Sequence, residues 1–305
     1  MNGAQLEFEG VSKWYGQVSA LTDVSFTCGP GVTGLVGKNG AGKSTVIKLA
    51  CGLLRPSQGR VLVLGDSPAT DTAVRARIGL CPDLDRCYES LSGETFVTWM
   101  LRLQGFRAAA ARARAREVLA ELGLAEAMHR KIRGYSKGMR QRVKLAQAIA
   151  HRPQVLLLDE PLTGLDPIAR HEVGELVRRL GSEGVVVLVS SHVLHELQAV
   201  ADRVLLVHQG RLLAEGRIQE LRDQLETRPL KLLLSSHRPR ELAARIVTHE
   251  GVRELEIRPE GVVVATRGAS ILAQLTRIGA EEEGLLLGIE PLDASLEAVF
   301  GYLVA

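Results

Sequence analysis

Eight consecutive residues, Gly37-Lys38-Asn39-Gly40-Ala41-Gly42-Lys43-Ser44, follow the pattern G-x-x-x-x-G-K-[ST]. Glycines at these positions let backbone N–H groups curl around a polyphosphate. The helix start behind them adds positive potential, Lys43 reaches the outer phosphates, and the Ser44 hydroxyl is suited to ligate Mg²⁺. An acidic pair, Asp159-Glu160, ends the apolar run 155–158 and so stands at the carboxyl edge of a sheet, where α/β folds place ligands. There Asp159 is suited to hold Mg²⁺ and Glu160 to orient or deprotonate a water. An acidic pair at a strand end is otherwise a solvent-exposed feature, and it is the phosphate loop that gives this one a chemical purpose.

Two further positions have the right chemistry for an anion. Ser136 and Gly138 open a helical pattern that runs to 150, and a hydroxyl, a backbone without a side chain and a helix dipole all favour an anion; an ordinary serine cap is the competing reading. His192 follows Ser191 at the end of the apolar run 185–189.

The elements that must position these residues are legible from periodicity. Strands are expected over 32–36, 61–64, 78–80, 155–158 and 185–189, with helices over 43–50, 93–103, 108–122, 136–150, 166–180 and from 193. Asp166-Pro167 caps the fifth of these helices, with proline at its favoured first position, and Gln209-Gly210 reads as the turn of a hairpin. This alternation is an α/β domain with a largely parallel sheet. Residues 1–10 read as polar, with Glu7 and Glu9, and lack the basic and apolar segments of a secretory signal. After a helix over 218–225, the pattern becomes strand 230–234, helix 240–247, strand 255–258, strand 262–266, helix 270–278 and strand 285–287. That is the β-α-β-β-α-β order of a ferredoxin-like domain. An amphipathic helix over 294–303, with Leu296, Val299, Phe300 and Leu303 on one face, ends the chain.

The 305 residues accommodate two domains, and with 46% hydrophobic and 24% charged residues the composition excludes disorder and coiled coil. Charge divides at the same place as the pattern, with 27 basic and 21 acidic residues through Gly216 against 11 and 14 beyond it. The expected boundaries are 1–216, with a helical subdomain over about 84–150, and 217–305. No apolar run approaches the roughly 18 to 20 residues that cross a bilayer, so the expected location is the cytoplasm. Cys28, Cys51, Cys81 and Cys87 lack metal-type spacing and read as small buried hydrophobes. The alanine- and arginine-rich run Arg107 to Arg116 reads as a solvated helix, and the net charge of +3 gives no case for nucleic acid.

These motifs, in this order over residues 6–216, resemble the ATP-binding subunits of ABC transporters. The resemblance implies the P-loop NTPase fold of the ABC ATPase type with a helical subdomain, extended here by the small α+β domain. It implies ATP bound by Tyr15, on which adenine stacks, by Gly37, Asn39, Gly40, Ala41, Gly42, Lys43, Ser44 and Thr45, and by Ser136, Gly138 and Asp166. Lys43, Glu160 and His192 are the implied catalytic residues, and Ser44 and Asp159 the implied Mg²⁺ ligands. Tyr135-Ser136-Lys137-Gly138-Met139-Arg140-Gln141 stands where the family has Leu-Ser-Gly-Gly-Gln and departs from it at several positions. Pro82-Asp83 replaces the family's glutamine at the loop leading to the membrane partner. Asp83 offers oxygen to Mg²⁺ there and adds a charge. Gly164-Leu165-Asp166 resembles the loop that crosses the dimer interface, and Asp166 serves equally as a helix cap.

Because the family completes each ATP site with the partner's signature segment, a head-to-tail homodimer is implied, attached at the inner face of the cell membrane through separate permease subunits. Their docking is expected near Asp83 to Gln104. Tyr135 to Met139 and the closing Ser295 to Phe300 are similar to bacterial exporter ATPases of the drug, lipid, polysaccharide or nitrous-oxide-reductase maturation type. Two competing readings are weaker. A soluble ABC ATPase acting on ribosomes or DNA would carry paired cassettes or a long coiled coil. A P-loop kinase leaves Ser136 to Gln141 and His192 without a purpose.

Overall fold

The parallel register of one sheet brings every strand-end motif to a single edge. In the computed structural model, which describes residues 5–83, 87–217, 230–266, 270–282 and 284–292, a six-stranded sheet has the order β5-β6-β7-β3-β8-β9. β3 (Gly31–Val36) pairs in parallel with β7 (Val186–Ser191) and β8 (Arg203–His208), and β7 continues through β6 (Val155–Leu158) to β5 (Ile78–Cys81). Cys81 lies opposite Leu158, Leu158 opposite Val189, and Val36 opposite Ser191. The chain therefore leaves these strands into Pro82-Asp83, Asp159-Glu160, His192 and Gly37 side by side. β6 and β7 are buried along their whole length, which is why they read as continuous apolar runs rather than alternating ones. β9 (Arg211–Arg217) follows β8 through Gln209 and Gly210, whose φ angles of 45° and 76° are both positive, as a tight primed hairpin turn requires.

A second sheet corrects the reading of residues 6–10, while residues 1–4 lie outside the described residues. β1 (Leu6–Tyr15), β2 (Val18–Cys28) and β4 (Gln58–Val63) form a three-stranded antiparallel sheet in the order β2-β1-β4. Leu6 and Phe8 are buried between the half-exposed Glu7 and Glu9, and Phe8 stacks on Phe26 with ring centroids 4.5 Å apart. The period-2 signal breaks at a register shift between Phe8 and Val11, so the segment resembles a polar stretch in sequence. This sheet, the parallel sheet and α1 (Lys43–Ala50) share one core containing Leu6, Phe8, Leu35, Ile47, Leu157 and Leu188.

α2 (Thr72–Arg75), capped by Asp71, is an element that periodicity does not announce. α3 (Gly93–Leu103), α4 (Ala108–Glu121) and α5 (Lys137–Ile149) make a helical layer, followed later by α6 (Pro167–Ser182) and α7 (Leu194–Gln198). The arginine-rich α4 does more than face solvent. Arg112 and Arg116 converge on the buried carboxylate of Glu94 at 2.6 and 2.8 Å, and Arg114 donates to Ala150 O. Cys28, Cys51 and Cys81 are buried, and burial pushes the Cys81 thiol up to about 12, consistent with a packing role, whereas Cys87 is only partly buried and departs from that reading.

The chain divides into two compact units, Met1–Gly216 and Arg217–Ala305. Within the second unit β10 (Leu230–Ser235), β11 (Val252–Arg258), β12 (Gly261–Thr266) and β13 (Gly288–Pro291) form an antiparallel sheet in the order β11-β12-β10-β13. Helices Pro239–Ile246 and Ser270–Glu281 complete the ferredoxin-like β-α-β-β-α-β arrangement. The last strand is 288–291, not 285–287. Leu285 is fully buried in the core and Leu286 packs against it, while Leu287 is exposed, so this apolar triplet leads into the ladder rather than forming it. The expected helices over 218–225 and 294–303 lie outside the described residues.

Since each unit has its own apolar core, a chain ending at Gly216 is expected to unfold in one cooperative thermal transition and to bind ADP within about threefold of the full chain. Circular dichroism and calorimetric titration check both.

Candidate active site

The glycines of the phosphate loop are demanded by contacts and conformation. A Cβ on Gly37 would lie 2.4 Å from Val207 O, and one on Gly42, where φ is 111°, would lie 2.7 Å from Leu21 Cδ2. The loop is tied to its surroundings through the backbone: Gly210 N donates to Ala41 O at 2.9 Å and Thr22 N to Gly210 O at 2.8 Å. The β8–β9 turn and β2 thus hold the loop open. Lys43, almost fully buried, reaches back to donate to Gly37 O at 2.6 Å, while Asn39, Gly40 and Ser44 are exposed. No side chain caps α1, so its first amides are available to an anion.

Opposite the loop, Glu160 sits at φ 51°, a left-handed conformation that costs a non-glycine residue of order 1–3 kcal/mol. Its carboxylate is surrounded by donors. Lys43 Nζ is 3.3 Å from Oε1, while His192 Nδ1 at 2.9 Å and Thr163 Oγ1 at 3.1 Å meet Oε2. Burial pushes this carboxyl up, but His192 and Lys43 outweigh burial and hold it below its ordinary value. Glu160 is thus ionised with its charge directed at the two basic side chains nearest the phosphate loop. Asp159, also buried, accepts from Ser190 Oγ at 2.7 Å, and the same hydroxyl accepts from Glu160 N at 2.9 Å.

The structure therefore brings Lys43, Asp159, Glu160 and His192 into one group beside Ser44 and Thr45. The other candidates have contacts of their own. Tyr15, 46% exposed at the end of β1, has the Lys13 ammonium 5.6 Å from its ring centroid. Ser136 Oγ accepts from Met139 N at 3.2 Å as the cap of α5. A Cβ on Gly138 would meet nothing closer than Leu165 Cδ2 at 3.7 Å, so folding of this chain does not itself require glycine there. Asp166 Oδ1 accepts from Ala169 N at 2.9 Å, which is the helix-cap role. Asp83 is exposed; its carbonyl and that of Pro82 both accept from Lys144 Nζ at 3.2 Å. Among the described residues, no hydrogen bond or ion pair joins Tyr15, Ser136, Gly138 or Asp166 to the Lys43–Glu160–His192 group.

Ser190, Thr163 and Lys144 are the residues that motif reading missed. Ser190 has a visible signal, a hydroxyl closing an apolar run, but its partners follow only from the β6–β7 register. Replacing Ser190 with alanine removes both hydrogen bonds from a fully buried site, a loss of about 1–3 kcal/mol. Ser190→Ala is expected to lower nucleotide turnover roughly tenfold and to raise the Mg²⁺ concentration needed for half-maximal rate, with ADP affinity little changed. Steady-state rates across a Mg²⁺ titration give the answer.

Comparison with known proteins agrees with this geometry. Residues 21–163 match the model of the family described as ABC transporter. The daunorubicin/doxorubicin resistance ATP-binding protein DrrA of Streptomyces peucetius is 35% identical across 97% of this chain and 92% of its own length. The linearmycin resistance ATP-binding protein LnrL of Bacillus subtilis is 30% identical across 97% and 96%. Both alignments extend through the second unit. A solved ATP-binding subunit of an ABC transporter superposes with a TM-score of 0.66 at 31% identity, covering 72% of this chain and 92% of that one. The chain belongs to the ABC transporter family, as an ATP-binding subunit with ATPase activity.

Proposed function

We propose that this subunit hydrolyses ATP with Mg²⁺ as one half of a head-to-tail homodimer and thereby powers export through separate permease subunits at the inner face of the membrane. The observation that carries this reading is the carboxylate of Glu160 held between Lys43 and His192. Glu160 meets the two basic groups that an outer phosphate needs. Arrival of the γ-phosphate at Lys43 and His192 displaces the carboxylate from them. Glu160 is then an ionised base beside the phosphate, placed to orient water in line, while Lys43 and His192 offset the charge that develops on the phosphoryl oxygens.

Magnesium fits the donors present. No group of three or more His, Cys, Asp or Glu among the described residues could cage a metal by itself. The Ser44 hydroxyl and the Asp159 carboxylate instead offer the few hard oxygens suited to an ion that retains waters and nucleotide phosphates. Bound there, Mg²⁺ would neutralise phosphate charge. Asp83, on the neighbouring strand end, adds a further oxygen at the same sheet edge.

Two surfaces support the partners. Ser136 and the uncrowded Gly138 lie at the start of α5 beside Leu165 and, among the described residues, make no hydrogen bond or ion pair with the chain's own Lys43–Glu160–His192 group, as expected of groups that complete the site of a second copy. A groove of about 410 Å³ is lined by Pro82, Tyr88, Phe96, Met100, Leu103 and Gln147, with Tyr88 and Leu103 largely exposed and Trp99 nearby on α3. It receives a short permease helix and leads through Pro82 toward Asp83. DrrA and LnrL are both resistance proteins by name, which favours export over import as the direction of transport. The transported molecule is selected by the permease.

Glu160→Gln is expected to bind ATP while losing turnover by about 10²-fold or more, and with ATP to run as a dimer in light scattering. Adding Ser136→Arg to it should return the protein to a monomer; a double variant that still dimerises only with ATP overturns the assignment of Ser136. Leu103→Glu, on the exposed side of the groove, should leave the isolated subunit's ATPase within about twofold of wild type while abolishing copurification with its permease.

A further inference from the structure

The turn carrying His192 is held by contacts that no motif announces. Ser191 Oγ accepts from Val193 N at 3.0 Å and donates to Glu196 Oε2 at 2.9 Å, so one hydroxyl braces the residues flanking His192. Glu196, whose side chain is only 10% exposed, turns its other oxygen to Arg170 Nε at 3.6 Å. Arg170 lies in the first turn of α6, and its Nη2 donates to Leu165 O at 3.4 Å. An unbroken chain of polar contacts thus runs from Leu165 through Arg170, Glu196 and Ser191 to the turn whose imidazole meets Glu160 at 2.9 Å. A carboxylate so little exposed needs both of these partners, because losing either leaves charge or hydrogen-bonding capacity unmatched in a place poor in water. Residue type alone gives neither Arg170 nor Glu196 a part in the phosphate chemistry, and their significance comes from where this chain of contacts ends.

We infer that Arg170 and Glu196 are positioning residues that set His192 according to the position of the Gly164-Leu165-Asp166 loop. The inference rests on the proposed function, in which His192 holds the γ-phosphate and this loop faces the partner subunit. When the second copy closes on the loop, Leu165 moves the guanidinium it binds. Arg170 carries the displacement to Glu196, and Ser191 turns the His192 peptide. His192 is thereby brought onto the phosphate only when the dimer that completes the site is in place. A plain brace between α6 and α7 would instead affect stability and all nucleotide binding alike.

The test uses the full chain and measures kcat and KM for ATP together with ADP affinity. The variants are Arg170→Ala, Ser191→Ala, their double, Glu196→Gln and His192→Ala. Arg170 and Ser191 are connected through Glu196, so their effects should not multiply: each single variant should lose about tenfold in kcat, and the double should be no slower than the slower single. Glu196→Gln keeps the shape of the side chain and an acceptor for Ser191, and should match Arg170→Ala. ADP, which lacks the γ-phosphate, should bind each variant within about twofold of wild type. A double variant with the product of the single losses overturns the relay, as does a matching loss of ADP affinity. Additivity alongside an inactive His192→Ala rejects the relay alone. A His192→Ala protein that turns over at the wild-type rate rejects the reading of His192 and the relay with it.

Discussion

The charge on Glu160 is kept in a place with little water, and the site is built around keeping it there. A buried carboxylate is tolerated only with partners, and removing one member of such a pair costs about 3–5 kcal/mol. Lys43 and His192 are those partners here, one at each oxygen. They come from distant parts of the chain, and what brings them together is the parallel ladder that aligns the ends of β3, β6 and β7. Ser190 adds a second constraint, because one hydroxyl binds the Asp159 carboxylate and the Glu160 amide together and so holds the left-handed backbone between them.

The phosphate loop is fixed in a different way, by close packing and backbone hydrogen bonds. Gly37 lies under β8 and Gly42 against β2, with Gly210 linking both to the loop. The antiparallel sheet is therefore part of the site's support and not only a cover for the core. Tyr15 comes at the end of that sheet, exposed, and the same strand pairing that buries Leu6 and Phe8 leaves it there.

The helical layer repeats the pairing logic away from the site. Glu94 is buried at the start of α3 and meets Arg112, Arg116 and His129 Nδ1, the last at 2.7 Å. Burial pushes its carboxyl up, and the two arginines outweigh this and hold it below its ordinary value. Residues that sequence composition assigns to solvent thus fasten α4 to α3. The same layer carries Tyr88, Trp99 and Leu103 outward and the cap of α5 beside Leu165. Surfaces for a membrane partner and for a second copy are in this way parts of one packed unit.

Local chemistry is legible in the sequence wherever neighbouring residues act together. The phosphate loop, the caps at Ser136 and Asp166, the start of α1 and the bounds of α3 all depend on contacts within a few residues, and the pattern shows them. The β-α-β-β-α-β order of the second unit is legible for the same reason, since it follows from alternating periodicity. The antiparallel sheet is not, because a register shift after Phe8 breaks the alternation that would mark β1. Leu285 and Leu286 mislead in the opposite direction, since their apolar character reports burial and not which residues enter a ladder. The sequence by itself determined which groups are capable of phosphate chemistry. Tertiary structure alone decided that Ser190 braces Asp159 and Glu160, that Lys43 and His192 share one carboxylate, and that Arg170 reaches Glu196. Each of those contacts joins residues about 25 or more positions apart, and their meeting is set by strand register and helix packing rather than by any local propensity.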